Sequence, residues 1–417
     1  MSALTPSADF GRLRQFVRQA LPNAYRPASG LLRHPYISPG AQYAAELWDW
    51  DSYWFLYALL ELARQTGDDA LRQSAAPYAI GTLRNFLEHQ GDDGAIPLQM
   101  RPDDADTFDC LASRDNNMAK PFFGQLAALL WEHGLLKEDE TKAAVKAVLA
   151  FHACYDARYL HEGTGLVVWA KDWGIGVDDD PCAWGRPPRS CASVFLNTCL
   201  LRDAQAIRGL CRQFGMEEGF TTCQARIERL SRALETFCWD ERESAFFSLD
   251  VQCQTNLTPH RRFGTLNKGL ATFWQGLKMK VLAWQCLLPF WTGLGTQAQM
   301  DAFVAENLRP GRLWSEHGVR SLSQDEPMYA PEVARGNPSN WLGPIWLVAN
   351  YITWETLVRR GHAAKAAELA HNITALLAAD FDRNGCLHEF YSPESGAGVM
   401  GAGFMSWNAL AALMAPA

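Results

Sequence analysis

The chain of 417 residues has no Cys-x-x-Cys pair, and its eleven cysteines are scattered along the sequence. Without paired Cys/His motifs of ligand type, a structural zinc site is not expected. An odd number of dispersed cysteines also disfavours a disulfide framework. We therefore expect reduced, mostly buried cysteines and a cytoplasmic protein.

Long basic runs and long apolar runs are both missing from the chain. The formal net charge is −8 and the pI is near 5.7, which argues against nucleic acid as a partner. No uninterrupted apolar stretch approaches the length of a membrane span. Residues 1–10 lack a basic segment followed by an apolar run, so we expect neither a membrane segment nor a signal peptide.

Motifs of several enzyme classes are absent as well. There is no G-x-S-x-G nucleophile elbow, no phosphate-binding loop and no dinucleotide fingerprint. The ten histidines form no evident local nucleophile arrangement. We expect no cofactor and no metal, and elimination favours chemistry carried by carboxylates.

Helical periodicity dominates the sequence that is present. It predicts helices over residues 52–64, 121–133, 141–155, 192–214, 216–237, 277–291, 341–360 and 362–379. A Gly/Asp turn followed by a brief extended segment recurs near residues 91, 161, 239, 309 and 382. Two helices per repeat and about six repeats predict an all-α (α/α)6 barrel with short β-hairpin and loop insertions, whereas an open solenoid has shorter repeats. No Pro/Ser/Gly-rich linker divides the chain, so residues 1–417 are expected to form a single catalytic domain.

The sixteen tryptophans are unusually many, and several stand beside carboxylates. Trp48 and Trp50 alternate with Asp49 and Asp51 just before a predicted helix. Planar rings beside hydrogen-bonding acids suit a pyranose, whose C–H face stacks on the ring. Asp51 is equally well explained as the N-cap of that helix.

Two acidic stretches lie far apart, each beside aromatic residues. Asp178, Asp179 and Asp180 follow Trp173, and Glu389 precedes an aromatic pair near the C-terminus. A carboxyl beside tryptophans is poorly solvated, which raises its pKa and lets it act as an acid near neutral pH. Two such carboxyls facing across a sugar-sized gap are what hydrolysis of a glycosidic bond requires. The alternatives are a turn or cation site for the three aspartates and a solvent-facing strand for the glutamate.

Ordered motifs along nearly the whole chain resemble those of glycoside hydrolase family 63 and the related trehalase family. They are Trp48-Asp49-Trp50-Asp51-Ser52, Lys120-Pro121-Phe122, Gly176-Val177-Asp178, Ser193-Val194-Phe195-Leu196-Asn197, Asn340-Trp341-Leu342-Gly343-Pro344-Ile345-Trp346, Asn350-Tyr351 and Glu389-Phe390-Tyr391. The fold that this resemblance implies is the (α/α)6 barrel, in agreement with the repeat count. The activity that it implies is inverting hydrolysis of an α-linked sugar.

The resemblance also implies the roles of individual residues. Asp178 would be the general acid and Glu389 the general base, at a separation of roughly 6.5 to 9.5 Å. Ile175 stands where many relatives have serine, so Asp179 and Asp180 remain alternative acids. The other candidate substrate contacts are Trp48, Trp50, Asp51, Asn117, Lys120, Trp173, Arg189, Trp341, Gly343, Trp346 and Tyr391. For Asn117 and Lys120 a helix start is the favoured explanation and a ligand contact the alternative, whereas Trp346 is equally compatible with the core.

The expected substrate is a small-molecule glycoside. The short chain looks most like compact bacterial members that cleave mannosylglycerate or glucosylglycerate, and Arg189 or Lys120 would then receive the carboxylate of the leaving group. Trehalose or another α-glucoside is the competing substrate. A sugar epimerase on the same barrel and an inert sugar-binding protein are the competing classes, and the sequence leaves open a homo-oligomer.

Overall fold

The computed structural model describes residues 8–252, 259–265, 275–332 and 339–415 of the chain, and it is mostly helical. Its α-helices are α1 (Ala8–Ala20), α2 (Asp49–Thr66), α3 (Asp69–Glu88), α4 (Asp109–Ala112), α5 (Phe123–Glu132), α6 (Glu138–Tyr159), α7 (Val194–Gln213), α8 (Glu217–Ala233), α9 (Leu288–Trp291), α10 (Gln297–Asn307), α11 (Leu347–Arg359) and α12 (Ala363–Asn384). A π-helical turn, Leu234–Cys238, extends α8, and 3-10 segments include Trp284–Leu287 before α9 and Ser406–Leu413 near the C-terminus. Within these ranges, no helix is both long enough and apolar enough to cross a bilayer.

The strands are two or three residues long and pair in small antiparallel sheets. The pairs are Tyr25–Arg26 with Tyr36–Ile37, Leu47–Trp48 with Gln99–Met100, Leu160–His161 with Leu166–Val167, Trp239–Asp240 with Ala245–Phe246, Pro259–His260 with Gly264–Thr265, Trp314–Ser315 with Gly318–Val319, and Phe390–Tyr391 with Gly398–Met400. A three-stranded sheet places Leu249–Asp250 between Cys191–Ala192 and Leu277–Lys278.

Six helical segments are buried on nearly every side, namely α2, α5, α7, α9, α11 and Ser406–Leu413. Each segment contacts the next one in this order, from α2 through to Ser406–Leu413. Helices that are apolar all round lie inside a core, whereas amphipathic helices cover it. The amphipathic helices α1, α3, α6, α8 and α12 pack against this inner set with one face and leave the other face to solvent.

Asparagine side chains tie three inner segments to the loops before them. Asn197 of α7 hydrogen-bonds both the N–H and the carbonyl of Val167, and Asn350 of α11 does the same with Val319. Asn408 donates to the carbonyls of His388 and Phe404. Because each asparagine also bonds the carbonyl four residues earlier in the chain, these loops are held at the N-terminal ends of the inner segments.

Seven of the eight predicted helices are present, with shifted ends. Helix α11 begins at Leu347 rather than near residue 341, because Gly343 has φ of +123° and Ile345 instead bridges Tyr391. The helix predicted over residues 277–291 is wrong. Leu277–Lys278 is a strand, and helical structure begins only at Trp284 and is interrupted near Pro289, which fits only the first turn of a helix. Helices α1, α3, α4 and α10 were not predicted.

Candidate active site

A cavity of about 370 Å³ opens where the inner segments meet their preceding loops. Ligand sites of small molecules are typically clefts of this order of size. The residues that line it are Tyr43, Trp48, Trp50, Asp51, Leu98, Lys120, Trp173, Gly174, Gly176, Asp178, Ser339, Glu389 and Trp407. Seven of these, Trp48, Trp50, Asp51, Lys120, Trp173, Asp178 and Glu389, are candidates from the sequence.

The first turn of α2 supplies one wall of the cavity. The helix begins at Asp49, so Asp51 lies inside the first turn and is not its N-cap. Asp49 is not part of the described lining and accepts hydrogen bonds from the backbone N–H groups of Trp50 at 2.6 Å and Lys120 at 2.7 Å. Asp51 is buried and lines the cavity, and its burial, together with the charge of Asp49, raises its pKa well above the usual value.

Lys120 and Asp49 form a buried ion pair beneath the cavity. Lys120 Nζ lies 2.9 Å from Asp49 Oδ1, and both side chains are almost fully buried. The ammonium also lies 5.9 Å from the centre of the Trp50 ring, within the range of a cation–π contact. The charge of Lys120 is therefore already balanced by the protein itself.

The loop that carries Asp178 is held from one side by Asn117. The Asn117 side-chain amide donates to the carbonyls of Lys171 and Trp173 at 2.9 and 2.6 Å, and its oxygen accepts from the Ala170 N–H at 2.8 Å. Gly176 has φ of +84°, and a Cβ there would lie 3.1 Å from the Lys120 side chain. Asn117 therefore shapes the cavity without lining it.

The three consecutive aspartates have different surroundings. Asp178 lines the cavity, where burial raises its pKa and hydrogen bonding from Ser339 and the charge of Lys120 oppose the rise. Asp179 accepts the Trp341 N–H at 2.7 Å, and burial raises its pKa to about 7. Asp180 accepts from the Cys182 N–H and from the Gln285 side chain. Among the three, only Asp178 faces the cavity.

Glu389 belongs to the second acidic stretch and directly precedes the strand Phe390–Tyr391. It is 3% exposed, its N–H donates to the Met400 carbonyl, and its Oε2 accepts from Gln42 at 3.1 Å. Burial raises its pKa to about 8, with a further rise from the negative charge of Asp178. The two acidic stretches therefore meet in one cavity, close enough for their charges to interact.

Several predicted contacts lie behind the cavity rather than in its lining. Trp341 and Trp346 stack with their ring centres 4.0 Å apart, and Trp341 packs against Trp50. The Tyr391 hydroxyl donates to Asp380, and Gly343 packs against the ring of Tyr329, which a Cβ would meet at 2.4 Å. These four residues support the wall that the ligand-facing residues form.

Arg189 lies away from the cavity. Its guanidinium donates to the carbonyls of Arg158 and Arg114 and stacks over the ring of Tyr159. Its backbone has φ of +60°. Arg189 is not among the residues that line the cavity, and Lys120 is the only cationic residue in its described lining.

Sequence reasoning missed the residues that surround the predicted carboxyls. Tyr43 and Gln42 both hydrogen-bond Glu389, while Trp407 packs on Trp50 with ring centres 5.3 Å apart. Leu98, Gly174, Gly176 and Ser339 complete the lining. None of them stands in a motif with a chemical signature, although Trp407 belongs to the aromatic-rich background that marked the other stretches.

The comparison with protein families gives one match that spans most of the chain. The model of the mannosylglycerate hydrolase MGH1-like glycoside hydrolase domain matches residues 44–407. Mannosylglycerate hydrolase of Thermus thermophilus is 31% identical over 309 residues, which are 64% of this chain and 68% of that protein. A probable mannosyl-oligosaccharide glucosidase of Schizosaccharomyces pombe is 23% identical over 56% of this chain, but over only 28% of its own length.

Solved structures share the arrangement of the chain. A crystal structure of GH63 mannosylglycerate hydrolase from Thermus thermophilus in complex with glucose has a TM-score of 0.69 at 21% identity, over 96% of this chain and 99% of that one. Neutral trehalase of Saccharomyces cerevisiae has a TM-score of 0.65 at 16% identity, over 91% of this chain and 73% of that one. At these identities the similarity concerns the fold.

Proposed function

Since the chain belongs to the mannosylglycerate hydrolase MGH1-like glycoside hydrolase family, we propose that it hydrolyses a small α-linked glycoside with inversion at the anomeric carbon. The observation that carries this proposal is the meeting of Asp178 and Glu389 in one cavity. Each carboxyl comes from a different part of the chain, and each is buried enough to have a raised pKa. This is the pairing that acid–base cleavage of a glycoside needs.

Asp178 is proposed as the general acid. Burial raises the pKa of Asp178 and so favours its protonated form, and a protonated carboxyl can protonate the glycosidic oxygen as the bond to the anomeric carbon breaks. Asp179 and Asp180 are less suited to this role because they do not line the cavity, and their carboxylates are held by hydrogen bonds from Trp341, Cys182 and Gln285.

Glu389 is proposed as the general base. In its ionised form it would remove a proton from a water molecule that attacks the anomeric carbon on the face opposite the leaving group. Gln42 and Tyr43 hydrogen-bond the same carboxyl and favour its ionised form. Because burial raises the pKa of Glu389 to about 8, the two carboxyls would share one proton near neutral pH, and the active form would be the one with that proton on Asp178 and with Glu389 ionised.

The sugar ring is proposed to lie between the aromatic wall and Asp51. Trp50 and Trp407 supply apolar faces, and Asp51 can hydrogen-bond ring hydroxyls. Trp48 is held by a hydrogen bond from its Nε1 to Glu46 at 2.6 Å. Trp173, at 52% exposure, stands at the mouth, where the leaving group would depart.

Mannosylglycerate and glucosylglycerate are the proposed first substrates, because the relatives are named for mannosylglycerate. Trehalose or another α-glucoside is the alternative, supported by the trehalase-like fold. An epimerase would need histidines at the reacting carbon, and no histidine is among the described residues that line the cavity.

We further infer that the six inner segments close into an (α/α)6 barrel within a single domain. Support comes from the contacts of each segment with the next and from the packing of the last, Ser406–Leu413, against the first, α2. A reducing, cytoplasmic setting is proposed because the cysteines in the described ranges are unpaired and, apart from Cys386, buried.

The test is the stereochemistry of the product. Purified protein is incubated with α-mannosylglycerate, α-glucosylglycerate and trehalose, and proton NMR follows the first minutes of the reaction. Release of the β anomer is expected. Release of the α anomer would overturn inversion, and an epimerised or unchanged substrate across the panel would overturn the hydrolase assignment.

A further inference from the structure

Asp380 is the centre of a hydrogen-bonded cluster beside the proposed base. It lies near the end of α12 and is only 1% exposed. Its Oδ2 accepts the backbone N–H of His388 at 3.1 Å and the Tyr391 hydroxyl at 3.0 Å. Nδ1 of the His388 ring lies 2.9 Å from the same oxygen, and Asn384 donates to Oδ1 at 2.7 Å. One buried carboxylate therefore binds the residue before Glu389 and the second residue after it.

The cluster also fixes the orientation of the His388 ring. A carboxylate only accepts hydrogen bonds, so Nδ1 donates to Asp380 and carries the ring proton. The Tyr391 hydroxyl accepts the His388 N–H at 2.9 Å while it donates to Asp380. The groups thus form a closed network in which each member orients the next, and such networks are rigid when they are fully satisfied.

Further contacts hold the same stretch from its other sides. The His388 carbonyl accepts from Asn408 at 2.8 Å, and Tyr391 pairs with Ile345 through two backbone hydrogen bonds. Gly398 leaves room for the His388 ring, since a Cβ there would lie 2.3 Å from the ring atoms. The main chain on both sides of Glu389 is therefore fixed in place.

The cluster lies behind the cavity. Asp380, His388 and Tyr391 are all outside its described lining, whereas Glu389 is part of it. An effect of Asp380 on the reaction must therefore pass through Glu389. A general base works only within hydrogen-bond reach of the proton that it removes, so its placement directly affects the rate.

We propose that Asp380 is a positioning residue that fixes the Glu389 carboxylate for attack by water, a role that rests on the proposed function. In that reaction Glu389 takes a proton from water as the water oxygen bonds to the anomeric carbon, and Asp178 gives its proton to the leaving oxygen. A displacement of about 1 Å at a reacting group can cost roughly 10²-fold in rate. Asp380 thus contributes to kcat without touching the substrate.

Asp380→Asn tests this role, because an amide cannot replace both carboxylate oxygens. Whichever way the amide turns, its NH2 group faces a donor, either Asn384 on one side or His388 and Tyr391 on the other. The substrate is whichever of α-mannosylglycerate, α-glucosylglycerate and trehalose the unmodified protein cleaves fastest. We expect kcat to fall roughly 10- to 100-fold and KM to stay within about twofold.

A double-variant cycle separates positioning from a general structural effect. In the Glu389→Gln protein no carboxylate is left to place, so adding Asp380→Asn should lower the residual rate by less than about twofold. The residual rate is measured at high enzyme concentration. A residue that merely stabilises the fold would lower the rate in both backgrounds.

Asp203→Asn is the matched control. Asp203 of α7 is fully buried and likewise binds a histidine, with His152 Nε2 at 2.8 Å and the Gln125 N–H at 2.8 Å, but it is not part of the described cavity lining. Its variant should lower Tm as Asp380→Asn does and leave kcat unchanged. If Asp380→Asn does not fold, Tyr391→Phe repeats the cycle, because it removes one donor to Asp380 and keeps the ring.

Three results would overturn the positioning role: equal kcat losses in Asp380→Asn and Asp203→Asn, a change confined to KM, or the same loss in the Glu389→Gln background as in the unmodified protein. Failure of the proposed function is a separate result. It would be seen as no hydrolysis of any of the three glycosides by the unmodified protein, and the role of Asp380 would fall with it. Hydrolysis by the unmodified protein with additive losses would overturn the role of Asp380 alone.

Discussion

Gly401 lies directly against Glu389, and the contact leaves no room for a side chain. A Cβ at Gly401 would stand 2.7 Å from Glu389 Cβ and 2.8 Å from its Oε2. Gly401 also has φ of +68°, a conformation that glycine adopts without strain. The position of the proposed base thus depends on a glycine in the turn that follows the strand Gly398–Met400.

Gly401→Ala should lower kcat at least tenfold while changing KM little, because the added methyl displaces the Glu389 carboxylate rather than the sugar-binding wall. Gly403→Ala is the control. Its φ of +90° is equally strained, yet a Cβ there meets nothing within 4 Å. Steady-state kinetics on both variants check this, and equal losses would show that backbone strain alone is responsible.

Asp178→Asn and Glu389→Gln should each lower kcat by about 10² to 10⁴, the usual contribution of a general acid or base. The two losses should differ with the leaving group. A dinitrophenyl α-glycoside leaves without protonation, so it should restore most of the rate of Asp178→Asn and little of that of Glu389→Gln. Both variants should retain ligand binding in calorimetry. If the dinitrophenyl glycoside restores the rate of neither variant, the general acid is a residue other than Asp178.

Glu389→Gln should stabilise the folded protein at alkaline pH. Because the folded-state pKa is raised to about 8 from an ordinary 4.5, the folded state holds this proton more tightly than the unfolded state. Stability is therefore lost as pH rises from about 4.5 to about 8. The gain in Tm of the variant over the unmodified protein should grow across that window and then level off. Glu162→Gln, in an exposed turn, should show no such trend in thermal unfolding.

The pH profile of kcat/KM should also be shifted to higher pH. Both proposed catalytic carboxyls have raised pKa values, so the acid limb of the profile should lie above the ordinary carboxyl range near pH 4.3. The apparent values belong to the pair rather than to one residue. An acid limb at or below pH 4.3 in initial-rate measurements would contradict the burial of these groups in the working enzyme.

Lys120→Met should destabilise the protein by about 3–5 kcal/mol, because it leaves the buried Asp49 carboxylate without its counter-charge. Asp49→Asn combined with Lys120→Met should recover part of that loss, since the amide oxygen can still accept a backbone N–H. Urea unfolding of the single and double variants measures the coupling. Additive losses would mean that the two charges do not stabilise each other.

Hydrophobic periodicity predicted the helices correctly wherever an inner segment is long and apolar, as in α2 and α7. It failed at residues 277–291, where apolar residues belong partly to a strand paired with Leu249–Asp250. Periodicity cannot separate a short buried strand from a buried helix. It also failed before α11, where Gly343 and Pro344 break the helix despite the apolar run.

Local sequence marked the run Asp178–Asp180 and Glu389, because carboxyls beside aromatic residues are costly to bury without a purpose, and the family resemblance singled out Asp178. It also marked Trp48, Trp50, Asp51, Lys120 and Trp173, which line the same cavity. Only the tertiary structure decided which of the three aspartates faces that cavity, that Lys120 is paired with Asp49, and that Arg189 lies elsewhere. These outcomes depend on the partners that distant segments bring to each side chain, and such partners have no signature in the local sequence.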